Sequence, residues 1–341
     1  MLIQSLRPQR FSQVVGNQLN NKLLLAIAKN PINAPSTIIL QGQFGSGKTT
    51  TARLFARAMN CKNLQDKDIC GKCSACTADL DHVPWYSEFD STAMGNVDAI
   101  RELRDSFLMT AVGYNKVIVL DETHTISKQG QSALLKVFEE TPQGVFFVLP
   151  TTDPDKLLPT IRSRSLELVY TAKSLEDVKK NIFLKASELG IPISQKVVDI
   201  IALRSRGVMR NAHMMLDKYS LLGEEEFLKA EIPTVDMLCD YVEAIFSNDK
   251  VKLFKAVSDL SRVPTSYLKE DWQDFFLSLL RASIDPNLIQ NERQVKIATR
   301  LGRILPPAVR EFTSDWVLKS FQSSVQCQTA LLALFQSYNQ K

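Results

Sequence analysis

The stretch STIILQGQFGSGKTTTARLFARAMN, residues 36–60, decides the fold. Its apolar, β-branched run at 36–41 is typical of a buried strand, and a helical pattern begins at 48. Between them lies G-x-x-x-x-G-K-[ST], residues 42–49, in the strand–loop–helix context that this motif requires. The stretch therefore predicts a phosphate-binding P-loop at the carboxyl end of a strand.

The residue types of the loop predict how a nucleoside triphosphate is held. Glycines let the backbone wrap closely around phosphates, and the N–H groups at the helix N-terminus add a favourable dipole. We expect Lys48 on the β- and γ-phosphates and the Thr49 hydroxyl on Mg²⁺. The other predicted ATP-binding residues of the loop are Gly42, Gly45, Ser46, Gly47 and Thr50.

A second motif, VIVLDETH at 117–124, supplies the acidic half of the site. Its apolar strand ends in Asp121, whose carboxylate suits the hydration shell of Mg²⁺. Glu122 follows in position to act as general base on a water molecule. Acidic pairs after strands are often only solvated loops, but a P-loop in the same sheet favours ATP hydrolysis over ATP storage.

The first 170 residues repeat this alternation of strands and helices. Short apolar runs of the kind buried on both faces of a parallel sheet occur at 36–41, 85–90, 116–121 and 145–150. Helical patterns lie at 17–29, 48–60, 96–109 and 127–140. The alternation predicts an α/β layer with a parallel sheet and right-handed crossovers.

Beyond about residue 170 the strand pattern stops and helical periodicity dominates. Helical patterns cover 174–190, 194–205 and 208–223, a break covers 223–236, and a second helical block covers 234–339. The sequence therefore predicts three parts: an α/β domain, a small helical domain and a larger helical domain.

The composition excludes several classes of protein. A chain of 341 residues with 45% hydrophobic and 23% charged residues is typical of a globular protein of two or three domains. The N-terminus has no apolar h-region of a signal peptide, and no run of roughly 18 apolar residues predicts a membrane span. We expect a cytoplasmic protein without a membrane partner. The net charge of +4 permits nucleic-acid binding but does not argue strongly for it.

Four of the six cysteines are clustered at Cys61, Cys70, Cys73 and Cys76. Four thiolates at such spacing close a tetrahedral Zn²⁺ site without water, which is a structural geometry. Reduced thiols and an iron–sulfur cluster are the alternatives, although the C-x3-C-P continuation of the latter is absent. Cys239 and Cys327 are isolated in apolar helical patterns and are expected in cores.

Further motifs occur in an order that resembles a known family. They are LRPQRFSQVVGNQ at 6–18, DETH at 121–124, ALLKVFEETP at 133–142, TTDPDKLLPTIRSRS at 151–165 and GVMRNAHMM at 207–215. Together with the P-loop they resemble the ATPase subunits of DNA-polymerase clamp loaders, a branch of the AAA+ superfamily. The resemblance is strongest to bacterial DNA polymerase III gamma/tau, with kinship to small replication factor C subunits, and covers about residues 5–215.

The resemblance implies roles for individual residues. Thr152 would be sensor 1, at the γ-phosphate or the attacking water, and Arg210 would be sensor 2 on a lid helix. Arg164 would be an arginine finger inserted into the neighbouring subunit's site. Val14 and Val15 would line the adenine pocket, although ordinary core packing explains valines equally well.

The resemblance also implies the architecture. It implies an AAA+ ATPase domain at 1–170 with a zinc module at about 61–82, a helical lid at 171–230 and a helical collar at 231–341. The chain would bind ATP, Mg²⁺ and Zn²⁺, and would work in a five-subunit ring with several copies of this chain and different subunits.

The implied function is ATP-dependent opening of a ring-shaped sliding clamp and its loading onto primer–template DNA. Clamp loaders of this family hold DNA through helix N-termini and basic side chains on phosphates. By resemblance, the helices that begin near Asn96 and Ser127 would face DNA, with Lys128 and Arg101 as candidate contacts, although exposed basic side chains are often only solvated. Two alternatives stay open: another AAA+ DNA motor such as a branch-migration helicase, and a nonhydrolysing scaffold subunit.

Overall fold

Five parallel strands form a sheet in the N-terminal part of the chain, in the spatial order β2-β3-β4-β1-β5. The strands are β1 (Thr37–Gly42), β2 (Tyr86–Asp90), β3 (Lys116–Asp121), β4 (Val145–Thr151) and β5 (Leu166–Tyr170). Because all strands are parallel, their carboxyl ends lie at one edge of the sheet. That edge carries the P-loop, the acidic pair and the TTD motif.

This computed structural model describes residues 6–93, 100, 113–231, 234–247, 249–263 and 292–301, with isolated positions between 268 and 285. The chain divides into two compact units, Met1–Phe227 and Leu228–Lys341.

Successive residues of the central strands enter two different cores, one on each face of the sheet. Ile38 and Leu40 pack in the core that contains Leu54 and Phe55 of the P-loop helix. Ile39, between them, packs in the core that contains the helix 128–139. Burial on both faces explains why these strands are continuous apolar runs rather than alternating ones.

Helices cover both faces of the sheet and extend beyond it. Those that begin in the first unit are α1 (Gln18–Lys29), α2 (Lys48–Met59), α3 (Ser74–Thr77), α4 (Lys128–Glu139), α5 (Pro159–Arg162), α6 (Leu175–Glu188), α7 (Gln195–Ser205) and α8 (Met209–Ala230). Serine caps begin three of them: the hydroxyls of Ser127, Ser174 and Ser194 accept from backbone N–H groups of the first turn.

The second unit is mostly helical in its described residues. It contains α9 (Thr234–Ser247), α10 (Lys250–Leu260) and α11 (Glu292–Leu301). These helices share a core that includes Leu238, Leu253 and Trp272, and Cys239 is buried in it as predicted. No helix in the described ranges is long and apolar enough to cross a membrane.

The predicted α/β fold class is confirmed: a layer with a parallel sheet is followed by mostly helical structure. The sequence did not predict β5, an edge strand in which Leu168 and Tyr170 are buried but Val169 between them is exposed. The predicted break at 223–236 begins at Gly223, whose φ of 74° interrupts the helix, but helix resumes to Ala230. Apart from Ile100, which is helical and buried, the predicted helix 96–109 lies outside the described residues, as does Cys327.

Candidate nucleotide site and cysteine centre

The P-loop joins the end of β1 to the start of α2 and passes very close to other backbone. Gly42 has a φ of 156°, and a Cβ there would lie 2.2 Å from the Tyr170 carbonyl oxygen. Gly45 has a φ of 73°, and a Cβ there would lie 2.7 Å from Val208 Cγ1. Only glycine fits both positions, so the motif's glycines permit the close approach as well as the turn.

Lys48 and Thr49 begin α2 beside the acidic end of β3. The Thr49 hydroxyl donates to Asp121 Oδ2 at 2.9 Å. The buried Lys48 ammonium donates to two carbonyl oxygens of the loop at 2.7 and 3.0 Å. Burial lowers the pKa of Lys48, against the effect of the nearby carboxylates, and burial raises the pKa of Asp121. A hydroxyl, a carboxylate and an ammonium thus converge, which is the donor set that a Mg²⁺–triphosphate needs.

Glu122 directly follows β3 in a left-handed backbone conformation, with φ 51° and ψ 44°. Its Oε2 accepts from the Thr152 hydroxyl at 3.2 Å and lies 3.3 Å from His124 Nδ1. His124 Nδ1 also lies 3.1 Å from Thr151 Oγ1. A non-glycine residue in this backbone region carries strain of about 1–3 kcal/mol, and such strain is concentrated at functional sites. Residues at the ends of β3 and β4 therefore both contact the Glu122 carboxylate and fix its position.

A cavity of about 170 Å³ opens beside the P-loop. The predicted nucleotide residues that line it are Val14, Val15, Gly45, Ser46, Gly47, Lys48, Thr49, Thr50, Asp121, Glu122 and Arg210. Gly42, Thr152 and Arg164 are not among its lining residues. The cavity thus brings most of the predicted site together, including residues separated by more than half the chain.

Two buried polar atoms of the cavity lining make no hydrogen bond with the described part of the chain. They are Ser46 Oγ, in the P-loop, and Lys173 Nζ, in the loop between β5 and α6. Burying an unpaired polar group costs about 1–3 kcal/mol on protein scales. A ligand rich in acceptors removes this cost, so the residues present fit a nucleoside triphosphate. Sequence reasoning missed Lys173, because it belongs to none of the motifs.

Arg210 and Arg164 have different surroundings. The Arg210 guanidinium lies over the Phe44 ring, 4.6 Å from its centroid, which joins α8 to the P-loop. Arg164 is 53% exposed, donates to the Thr160 carbonyl at 3.2 Å and pairs with Glu139 at 3.4 Å. Arg210 therefore faces this chain's own cavity, whereas Arg164 faces solvent.

The four clustered cysteines meet in one place. Their Sγ atoms all lie within 4.8 Å of one another. Cys76 Sγ is 3.6 Å from that of Cys61 and 3.8 Å from that of Cys70. A tetrahedron with Zn–S bonds of about 2.3 Å has S···S edges of about 3.8 Å, so the arrangement fits zinc.

The protein environment favours ionisation of some of these thiols only. Backbone N–H groups of Lys72 and Cys73 lower the pKa of Cys70 to about 6. Burial raises the pKa of Cys76 instead, so ionising this thiol would require a cation bound among the four Sγ atoms. His82, a possible competing ligand, is exposed and contacts Asp79 at 2.8 Å.

Only some of the residues predicted to contact DNA lie in the part of the chain that the structure describes. Ser127 caps α4 by accepting from the Gly130 N–H at 3.2 Å, and Lys128 is exposed at the first position of that helix. Lys156 lies with Lys128 around a cavity of about 450 Å³ near the helix N-terminus. Asn96 and Arg101 lie outside the described residues.

Comparison with known proteins agrees with this geometry. Residues 17–173 match the family model described as DNA polymerase III, delta subunit. DNA polymerase III subunit tau of Bacillus subtilis is 33% identical over 231 residues, 66% of this chain and 40% of the relative. Subunit gamma of Buchnera aphidicola is 29% identical over 297 residues, 82% of this chain and 78% of the relative.

Subunit gamma/tau of Mycobacterium tuberculosis is 29% identical over 272 residues, 76% of this chain. The chain spans 46% of the length of that relative. Among solved structures, a variant of Thermotoga maritima RuvB matches with a TM-score of 0.50 at 20% identity, over 70% of this chain and 79% of RuvB. The RuvB likeness is one of fold.

Proposed function

We propose that this chain, an AAA+ clamp-loader-like subunit, is an ATPase of a DNA-replication clamp loader. In such a complex it opens a ring-shaped sliding clamp and loads it onto primer–template DNA. The observation that carries the proposal is the 2.9 Å hydrogen bond between Thr49 and Asp121, which joins the P-loop to the acidic strand end. Similarity to gamma and tau subunits over most of the chain supports the replication context.

The ATPase mechanism follows from the side chains at the sheet edge. Bound Mg²⁺–ATP supplies the reacting phosphoryl group and the cation that neutralises its charge. Lys48 would bind the phosphates, and Thr49 and Asp121 would hold the cation. Glu122 accepts a proton from the attacking water, and Thr152 orients the Glu122 carboxylate by donating to Oε2 at 3.2 Å.

Arg164 acts in the site of a neighbouring subunit. Its exposure and its absence from the cavity of its own chain support this role. A guanidinium supplied from outside stabilises charge on the transferred phosphoryl group and makes turnover depend on assembly. Arg210 acts within its own chain, where its contact with the bound nucleotide would couple the nucleotide to the position of α8.

The two alternative functions receive less support. RuvB from Thermotoga maritima, described as a branch migration motor, shares the fold at 20% identity, whereas the polymerase III relatives reach 29–33%. A nonhydrolysing scaffold needs no general base. The hydrogen bond that orients Glu122 argues for hydrolysis instead.

The proposed partners are other clamp-loader subunits in a five-membered ring, the sliding clamp and primer–template DNA. Ser127 and Lys128 are proposed phosphate contacts at the N-terminus of α4. The cysteine centre is proposed to hold Zn²⁺ for structure and to take no part in hydrolysis.

Steady-state ATP hydrolysis tests the proposal, measured alone, with primed DNA, with clamp, and with both. We expect the highest rate with both together in the assembled loader. Equal rates in all four conditions would exclude the loader function. Arg164→Ala should reduce assembled turnover by roughly a thousandfold while leaving ATP affinity unchanged, and an equal loss of ATP affinity would refute the finger role.

A further inference from the structure

Lys173 is a buried cation that the ATPase mechanism does not use. Its residue exposure is 8%, and Nζ has no hydrogen-bond partner among the described residues. It lines the same cavity as the P-loop. Lysine is almost never buried without a partner, because the ammonium loses its hydration. A buried, unpaired donor on a residue that lines a ligand cavity calls for an acceptor on the ligand.

The backbone of Lys173 is hydrogen-bonded at the point where the chain passes from the sheet to the helices that follow it. Its N–H donates to the Gly207 carbonyl at 2.9 Å, just before α8 begins. Its side chain crosses Gly16, where an added Cβ would lie 3.0 Å from Cδ and 3.5 Å from Nζ. Gly16 follows Val15, so the amine lies close to the Val14–Val15 segment of the cavity lining.

The P-loop part of the cavity lining already has a cation and N–H donors of its own. Lys48 and the N-terminus of α2 lie there, which leaves no need for a second lysine on the phosphates. The cavity lining also contains the apolar residues Leu6, Pro8, Val14 and Val15, which suit a flat base. Within such a surface, one well-placed donor fixes the orientation of the ligand.

We propose that Lys173 Nζ donates a hydrogen bond to a ring-nitrogen acceptor of the nucleotide's base, and is thereby a specificity-determining residue of this site. The inference rests on the proposed function, since it requires a nucleotide in this cavity. Burial lowers the pKa of Lys173 to about 8, with Asp177 opposing the shift. The free protein therefore holds an ammonium at a cost that the bound base relieves.

Isothermal titration calorimetry with ATP on the full chain tests the proposal. Lys173→Met keeps the length of the side chain but removes the donor, and should weaken ATP affinity by roughly 10- to 100-fold. Lys173→Gln keeps a neutral donor and should recover part of that loss. The matched control is Lys179→Met, which removes a lysine that lies outside the cavity and pairs with Asp199 at 2.9 Å, and ATP affinity should be unchanged.

Stability separates a binding role from a structural one. If Lys173 serves the ligand, the nucleotide-free Lys173→Met variant should melt a few degrees higher than the parent, and ATP should raise its melting temperature less. A lower melting temperature of the free variant, with unchanged ATP affinity, would mean that the lysine is structural and would overturn the proposal.

Deaza analogues of ATP identify the acceptor. Replacing N1, N3 or N7 by carbon should weaken binding to the parent for one analogue, and Lys173→Met should be insensitive to that same replacement. Equal losses in parent and variant for all three analogues, or coupling to 2′-deoxy-ATP instead, would refute contact with the base. If the parent binds no ATP at all, the proposed function fails; if the parent binds and Lys173→Met binds equally, only this inference fails.

Discussion

Asp68 accepts a hydrogen bond from the backbone N–H of Phe11 at 2.9 Å, across 57 residues of sequence. Its other oxygen accepts from the Ser12 N–H at 3.2 Å. Arg10, next in this segment, donates to the Cys70 carbonyl at 3.2 Å. Hydrogen bonds thus join the cysteine module, about residues 61–82, to the segment that leads directly into Val14 of the nucleotide cavity. We therefore expect the module to have a mechanical role, that of fixing one wall of the proposed ATP site.

Replacing Asp68 by Ala should impair both stability and ATP binding. The buried N–H of Phe11 would lose its acceptor, at a cost of about 1–3 kcal/mol, and the segment at 10–15 would be free to shift. We expect a lower melting temperature and an ATP affinity weakened several-fold, measured by calorimetry. Asp81→Ala changes an exposed carboxylate of the same module and should alter neither. Unchanged ATP affinity in Asp68→Ala would contradict the link.

Metal removal should have the same effect through the same contacts. We expect native mass spectrometry to find one Zn²⁺ per chain and Cys70→Ser to lose it, because serine is a poor zinc ligand. Chelation should lower the melting temperature and weaken ATP binding, and added Zn²⁺ should restore both. Finding iron, or a metal-free chain with full ATP affinity, would exclude this role.

The arrangement of the candidate nucleotide site was predictable from sequence where its parts are local. The P-loop and the acidic pair each follow a buried strand, so periodicity and motif spacing were sufficient to locate Lys48 and Asp121. Asp68 was not predictable, because its partners are backbone groups about 57 residues away and backbone N–H groups carry no residue signature. Lys173 was missed for a related reason: its significance lies in burial against Gly16, which only tertiary structure creates.

The contact between Arg210 and Phe44 should couple α8 to the P-loop. A guanidinium 4.6 Å from an exposed ring contributes about 0.5–1 kcal/mol. Phe44→Leu should therefore weaken ATP binding roughly two- to fivefold, if the ring orients the guanidinium for the nucleotide. A double-mutant cycle with Arg210→Ala measures this coupling, and strictly additive losses would show that the two side chains act independently.

The buried amine of Lys173 should give the free protein a distinctive pH dependence. Its pKa in the folded chain is about 8, against an ordinary value of 10.5. Between these values the unfolded chain binds more protons than the folded one, so the free energy of unfolding contributed by this group rises with pH. The penalty is complete below about pH 8 and fades towards pH 10.5.

The Lys173→Met variant has no titratable group at this position. Its stability advantage over the parent should be constant below about pH 8 and shrink above it, as measured by calorimetric melting without nucleotide. The other charged or titratable groups of the cavity are Arg7, Lys48, Asp121, Glu122, Lys185, Arg210 and His213. They are shared by both proteins, so the difference between the two melting curves isolates Lys173. If the stability advantage of Lys173→Met stays constant through alkaline pH, burial of the Lys173 ammonium does not destabilise the free protein. The amine would then have no unmet need for a hydrogen-bond acceptor on a ligand.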